Sequence, residues 1–131
     1  MDLAIITVSY NTRELLATCL SSVRDCLERS SLQAGVWVVD NASADGSADM
    51  VSALFPDVNL IRHKENVGFA AGNNLALKSM GFGAETRPRH VLFLNPDTRV
   101  VGDALEVMVG LLDSAPRCGA AGARLVYELS L

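Results

Sequence analysis

The chain has 131 residues, half of them hydrophobic and a fifth charged, with a formal net charge of −4. That length suits one domain over residues 1–131 with a substantial core, and the apolar content argues against disorder. The acidic balance offers no basic stripe for nucleic acid, and no apolar run approaches the roughly 20 residues of a bilayer span, so neither a nucleic-acid partner nor a transmembrane segment is expected.

Leu3 to Ser9 is an apolar run that reads as a first strand and ends in the polar set Ser9-Tyr10-Asn11. A helix follows from about Arg13 to Glu28, with Asn11 and Glu14 in the spacing of a capping pair. Leu15, Leu16, Cys19, Leu20, Val23 and Leu27 make its apolar stripe. Val36 to Val39 is a second strand, closed by Asp40-Asn41. The polar loop Asn41-Ala-Ser-Ala-Asp-Gly-Ser47 then allows a helix to start at Asp45 or Ser47 and carry Met50, Val51, Leu54 and Phe55 as far as Pro56. Val58 to Arg62 is a short strand, and Lys64 to Asn74 opens a third helix that runs to about Met80. Gly81 to Arg89 is a loop, residues 91–94 a buried strand, and Gly102 to Ser114 a fourth helix. Gly119 to Val126 is expected as a fifth strand. Strands alternating with helices imply an α/β protein with a mostly parallel, Rossmann-like sheet and helices on both faces.

In such a sheet, ligands bind outside the carboxyl ends of the strands, beside helix N-termini that attract anions. Three strands here end in polar clusters. Asp40 can accept from a nucleobase N–H or a ribose hydroxyl, or simply cap the loop that follows it. The glycines of Asn66-Val-Gly68-Phe-Ala-Ala-Gly72-Asn73-Asn74 let a ligand approach backbone, or only relieve helix–strand crowding. Asp97 closes Leu94-Asn95-Pro96-Asp97. A diphosphate would need its charge neutralised, and the segments of this site offer few cations, so Asp97 is the candidate metal ligand unless it merely forms a turn. No G-x-G-x-x-G follows the first strand, no G-K-S/T occurs, and G-x-S-x-G is absent. His63 and His90 are read as surface residues, and Arg87, Arg89 and His90 as a solvated basic loop. Cys19 and Cys26 lie two helical turns apart, roughly 10 Å, too far for a disulfide. With Cys118 they are read as small core hydrophobes of a protein in the reducing cytoplasm. Asp2, where a signal peptide would be basic, fits that location.

Taken in order, Val8-Ser9-Tyr10-Asn11, Val38-Val39-Asp40-Asn41-Ala-Ser43-x-Asp45-Gly46-Ser47, Asn66-x-Gly68-Phe69-Ala70-x-Gly72-Asn73-Asn74 and Leu94-Asn95-Pro96-Asp97 resemble glycosyltransferase family 2, and rhamnosyltransferase-type members above all. The resemblance implies the GT-A fold and inverting transfer of a sugar from a dTDP-, UDP- or GDP-linked donor to the hydroxyl of a glycan or lipid-linked acceptor. It implies that Ser9, Tyr10 and Asn11 border the nucleotide and that Asp40 accepts from the base. Asn66, Gly68, Gly72, Asn73 and Asn74 would line base, ribose and diphosphate. Asn95-Pro96-Asp97 would stand at the metal site, with Asp97 ligating Mg2+ or Mn2+ and Asn95 free to hold the neighbouring phosphate or sugar. The family often has Asp where Asn95 stands and Arg where Asn73 stands, so this chain carries less charge at both places.

The resemblance also places an acceptor site and a catalytic carboxylate base after this region. The acids beyond Asp97 are Asp103, Glu106, Asp113 and Glu128, and none is assigned as base. The chain is therefore expected to be the donor-binding half of a longer enzyme, or a short gene product. The alternative is a non-catalytic nucleotide-sugar-binding module. A nucleotidyltransferase of pyrophosphorylase type would need a Gly-rich Arg/Lys loop after the first strand, which is absent. The apolar tail from Leu125 to Leu131 predicts self-association into a homo-oligomer. A lipid-linked acceptor would add a peripheral position at the inner membrane face.

Overall fold

The structure is a computed structural model that describes residues 1–81 and 87–127. Strand β1 (Leu3–Ser9) is followed by helix α1 (Arg13–Glu28), β2 (Ala34–Asn41), α2 (Ser47–Leu54), β3 (Asn59–His63), α3 (Gly68–Ser79), β4 (His90–Phe93) and α4 (Ala104–Ser114). The four strands form one sheet in the order β3-β2-β1-β4, with every pair parallel. All their carboxyl ends therefore meet at a single edge.

β1 and most of β2 are buried on both faces, which is why they read as continuous apolar runs without alternation. On one face α3 packs Ala76 against Ala4, Ile6, Val8, Trp37 and Val39. On the other, α1 and α2 enclose Val38 with Leu16, Leu20, Met50, Val51 and Phe55, while α1 and α4 cover Leu3 and Ile5 with Val23, Cys26, Leu105 and Val109. The inward stripe of α1 is Leu16, Cys19, Leu20, Val23 and Cys26. Leu15, assigned to that stripe from the sequence, is instead 51% exposed, because it lies one residue outside the arc facing the sheet.

Three other expectations change. Gly119–Val126 is not a strand: the described residues 119–127 have no regular structure and are almost entirely exposed. Its Gly and Ala residues have little surface to bury, and no described strand pairs with its backbone. β4 is consequently the sheet's edge and half-buried rather than buried. Cys118 is exposed, whereas Cys19 and Cys26 are buried as expected. The tail from residue 128, with Glu128, lies outside the described residues.

The basic stretch before β4 is tied down rather than freely solvated. Arg89 bridges Asp2 at 3.1 Å and Asp113 at 2.7 Å, and His90 Nε2 lies 2.8 Å from Asp113. Hydrogen bonds from His90 and then Arg89 hold the Asp113 carboxyl below its usual range. This cluster belongs to the amino end of β1 and β4, opposite the polar edge.

Gly72 shows the closeness of the α3 packing. A Cβ placed there would lie 2.8 Å and 3.0 Å from the two methyls of Val8, and a β-branched strand residue cannot swing aside cheaply. Gly72→Ala is expected to cost about 1–3 kcal/mol through overpacking, seen as a lower midpoint in thermal denaturation. Gly110→Ala, on the open side of α4, should be neutral or stabilising by about 0.5–1 kcal/mol in the same measurement.

Candidate functional site

Neighbouring strands leave the sheet centre in opposite directions between β1 and β4, since β2 and β3 lie on one side of β1 and β4 on the other. In open α/β sheets such a switch point forms the ligand crevice. Ser9, Tyr10 and Asn11 follow β1, Asp40 and Asn41 close β2, and Asn95 to Asp97 follow β4. The topology thus brings the sequence's three strand-end clusters to one edge.

Two loops at this edge are stitched together. Asn11 has φ of 50°, a left-handed conformation that Asn tolerates. Its N–H donates to Ser43 Oγ at 2.9 Å, and its Oδ1 accepts from the Ala44 N–H at 2.8 Å. Asn11 therefore does not cap α1 with Glu14, as its spacing suggested; its side chain reaches across to the loop after β2. The α1 N-terminus is served by Asp45 instead, whose Oδ2 accepts from the Arg13 N–H at 3.0 Å. The other oxygen, Oδ1, accepts from the Ser47 N–H at 3.0 Å and from the Ser47 hydroxyl. One carboxylate thus satisfies the first turns of α1 and α2 together.

Asp40 uses its two oxygens differently. Oδ2 accepts from the Ser43 N–H at 3.2 Å, which is the loop-capping role. Oδ1 is buried without a partner among the described residues, on a residue only 5% exposed. Leaving such an oxygen unpaired costs about 1–3 kcal/mol, so it is primed to accept an N–H or O–H. Asn41 (2% exposed) and Asn73 (6%) present two more unpartnered oxygens. Their amide nitrogens donate to the Gly68 carbonyl at 3.1 Å and the Phe69 carbonyl at 3.0 Å.

The remaining candidates divide. Ser9 is buried, its hydroxyl 2.9 Å from that of Thr12, while Tyr10 is half-exposed beside it. Asn66 is exposed and accepts from the Gly68 N–H at 3.0 Å, and Gly68 takes a φ of 83° where the chain turns into α3. Gly72 and Asn73 face the sheet, so packing against Val8 accounts for Gly72. Asn74 is exposed, and at 1.5 Å per residue lies about 9 Å along α3 from Gly68; the structure does not bring it to the strand ends. Asn95 and Asp97 are exposed in the turn after β4.

A cavity of about 330 Å³ opens at the ends of β2 and β3, lined among others by Asp40, Ser43, Asp49, Arg62, His63 and Lys64. The motif segments carry few cations, yet Arg62 and His63 at the end of β3 and Lys64 just after it bring basic side chains to the rim. The signal was the run Arg62-His63-Lys64 at the end of a short strand. Arg62 pairs with Asp49 at 2.8 Å, both well exposed, so the pair adds little stability.

The family model for glycosyl transferase family 2 matches residues 4–130. The chain belongs to this family. Curated relatives include the uncharacterized glycosyltransferase YfnE of Bacillus subtilis, 37% identical over 60% of this chain and 20% of its own length. The N-acetylglucosaminyl-diphospho-decaprenol L-rhamnosyltransferase of Mycobacterium tuberculosis is 25% identical over 92% of this chain and 40% of its own. This family 2 chain thus spans well under half the length of such relatives. Among solved structures, S. aureus TarS 1–349 in complex with UDP superposes with a TM-score of 0.69 at 22% identity, covering 87% of this chain and 32% of that one. The mannosyltransferase PcManGT from Pyrobaculum calidifontis, in complex with GDP-Man and Mn2+, gives 0.69 at 24% identity over 84% and 32%. Both likenesses establish the GT-A fold.

The shared carboxylate makes a measurable claim. Its hydrogen bond from the Ser47 side chain, then those from the Arg13 and Ser47 amides, hold the Asp45 carboxyl below its usual range. A carboxyl with a depressed folded pKa stabilises above its unfolded value and loses that contribution as pH falls through the folded one. Asp45→Ala should cost about 1 kcal/mol at neutral pH. In urea titrations at several pH values the gap from wild type should narrow below about pH 4.

Proposed function

We propose that this chain is the donor-binding part of an inverting family 2 glycosyltransferase, a single unit over residues 1–131 that holds a nucleotide diphosphate-sugar. The observation that carries the reading is Asp40 Oδ1, a buried and unpaired acceptor at the ligand edge of a GT-A sheet. It suits a base or ribose donor group, with Tyr10 exposed just after β1, Asn66 exposed just before α3, and Ser9 bonded to Thr12 in the first loop. Similarity to proteins solved with UDP and GDP-Man supports a nucleotide-linked donor.

The residues at Asp97 fit a divalent ion, Mg2+ or Mn2+, of a particular kind. Asp97 is exposed and no described residue pairs with it, and no group of three or more His, Cys, Asp or Glu side chains converges among the described residues. A single carboxylate suits an ion that takes its other ligands from phosphate and water. Such an ion would neutralise charge on the departing diphosphate. In the transfer itself, an acceptor hydroxyl attacks the anomeric carbon, the bond to the diphosphate oxygen breaks, and configuration inverts. The hydroxyl proton goes to a base. Glu106 is engaged by Ser31 at 2.8 Å and Asp113 by Arg89 and His90, both at the amino end of the sheet. Neither reaches the donor edge, and Asp103, the residue before α4, follows Gly102, whose carbonyl is bonded by Cys26 near the far end of α1. The base and the glycan or lipid-linked acceptor site are accordingly assigned to chain beyond this region. No helix among the described residues is long and apolar enough to cross a membrane. A cytoplasmic site of action, at the inner membrane face for a lipid-linked acceptor, is part of the proposal, as is self-association.

Calorimetric titration with UDP, dTDP and GDP, with and without Mn2+, tests the reading. One nucleotide should bind, more tightly with Mn2+, and Asp40→Ala should weaken it about ten-fold or more with and without metal. Asp97→Ala should abolish only the metal enhancement. If no nucleotide binds under any condition, the donor-site reading fails. Donor hydrolysis or transfer assays separate an enzyme fragment from a pure nucleotide-sugar binder, which would show neither.

A further inference from the structure

The cysteines of α1 do more than fill the core. Cys19, Ser22 and Cys26 are spaced i, i+3 and i+7, which aligns them along one side of the helix. Each holds the segment between β4 and α4. The Cys19 thiol donates to the Asn95 carbonyl at 3.7 Å, the Val100 N–H donates to Ser22 Oγ at 2.9 Å, and the Cys26 thiol donates to the Gly102 carbonyl at 3.2 Å. The Ser22 hydroxyl passes its own proton back to the Cys19 carbonyl at 2.7 Å. The turn's own bonds run from the Thr98 N–H and hydroxyl to Asn95, at 3.3 Å and 2.7 Å. Among the described residues no hydrogen bond or ion pair restrains the side chain of Asp97, and β4, which delivers the turn, is a four-residue edge strand.

We infer that Ser22, seconded by Cys19, is the positioning residue that fixes the Asn95–Asp97 turn and so sets how well Asp97 holds a divalent cation. This rests on the proposed donor site. The physical reason is the single carboxylate. With several protein ligands a small shift in one is absorbed by the rest, whereas here the protein's whole share of the ion sits on a turn fastened from behind by α1. Removing the fastening leaves the nucleotide end of the site untouched, because Asp40 and Asn11 are held by the loops after β1 and β2.

The test uses the full chain with Mn2+ and whichever of UDP, dTDP or GDP the wild type binds. Free Mn2+ is followed by electron paramagnetic resonance, nucleotide affinity without metal by calorimetry, and turn order by amide exchange at Val100. Ser22→Ala should weaken Mn2+ binding about ten-fold, speed exchange at Val100, and leave metal-free nucleotide affinity unchanged. Ser22→Thr, which keeps the hydroxyl, should restore metal affinity. Cys19→Ala should weaken Mn2+ by a smaller factor, its bond being long and from a weak donor. Wild-type Mn2+ affinity in Ser22→Ala despite faster Val100 exchange would overturn the inference. So would equal loss of metal-dependent and metal-free binding, which marks general damage. A wild type that binds no nucleotide in either arm would overturn the donor-site reading, and this inference with it.

Discussion

The edge of this molecule depends on one carboxylate answering two helix ends. Parallel strands bring α1 and α2 to the sheet side by side with their N-termini at the same edge, and each arrives with backbone N–H groups that lack intrahelical partners. Asp45 accepts from both, while Asn11 crosses to Ser43 and Ala44. The helices' partial positive charges favour the ionised form. Because the loops after β1 and β2 are held against each other, Ser9, Tyr10 and Asp40 have fixed relations before any ligand arrives. The left-handed conformations of Asn11 and Ala42, on the two sides of this seam, are the local cost.

Most of the scaffold was legible in the sequence because its signals are short-range. Eight elements follow from apolar runs, helical stripes and the Pro and Gly residues that end them, and parallel pairing follows from their alternation. What was not legible depends on partners far along the chain. Asn11 and Glu14 have the spacing of a local cap, but the nearest good donors and acceptors come from residues 43–45. Leu125 and Val126 have the composition of a strand, yet composition cannot supply the neighbouring ladder that a strand needs. Cys19 and Cys26 were correctly placed inside, while their hydrogen bonds to Asn95 and Gly102, each 76 residues away, carry no sequence signature.

The site divides the same way. Asp40 admitted two readings: Oδ2 caps the Ser43 amide, which is the loop role, while Oδ1, buried and unpaired, is the oxygen left for the proposed nucleotide contact. Gly72 also admitted two, and its contact with Val8 accounts for it by packing. The basic rim from Arg62 to Lys64 was visible as letters but not as a location, since only the pairing of β3 with β2 puts it beside Asp40.

The strand order has a thermodynamic corollary. The groups proposed to meet the base hang from β1 and β2, the two central strands, largely buried on both faces, where opening requires breaking the core. The turn proposed to meet the phosphates hangs from β4, four residues long and with one flank unpaired among the described residues. Local opening free energy therefore falls across the crevice from one end of a bound nucleotide to the other. A ligand spanning it would be recognised by a rigid half and would itself organise the softer half, so that part of its binding free energy appears as added protection of β4 rather than as affinity.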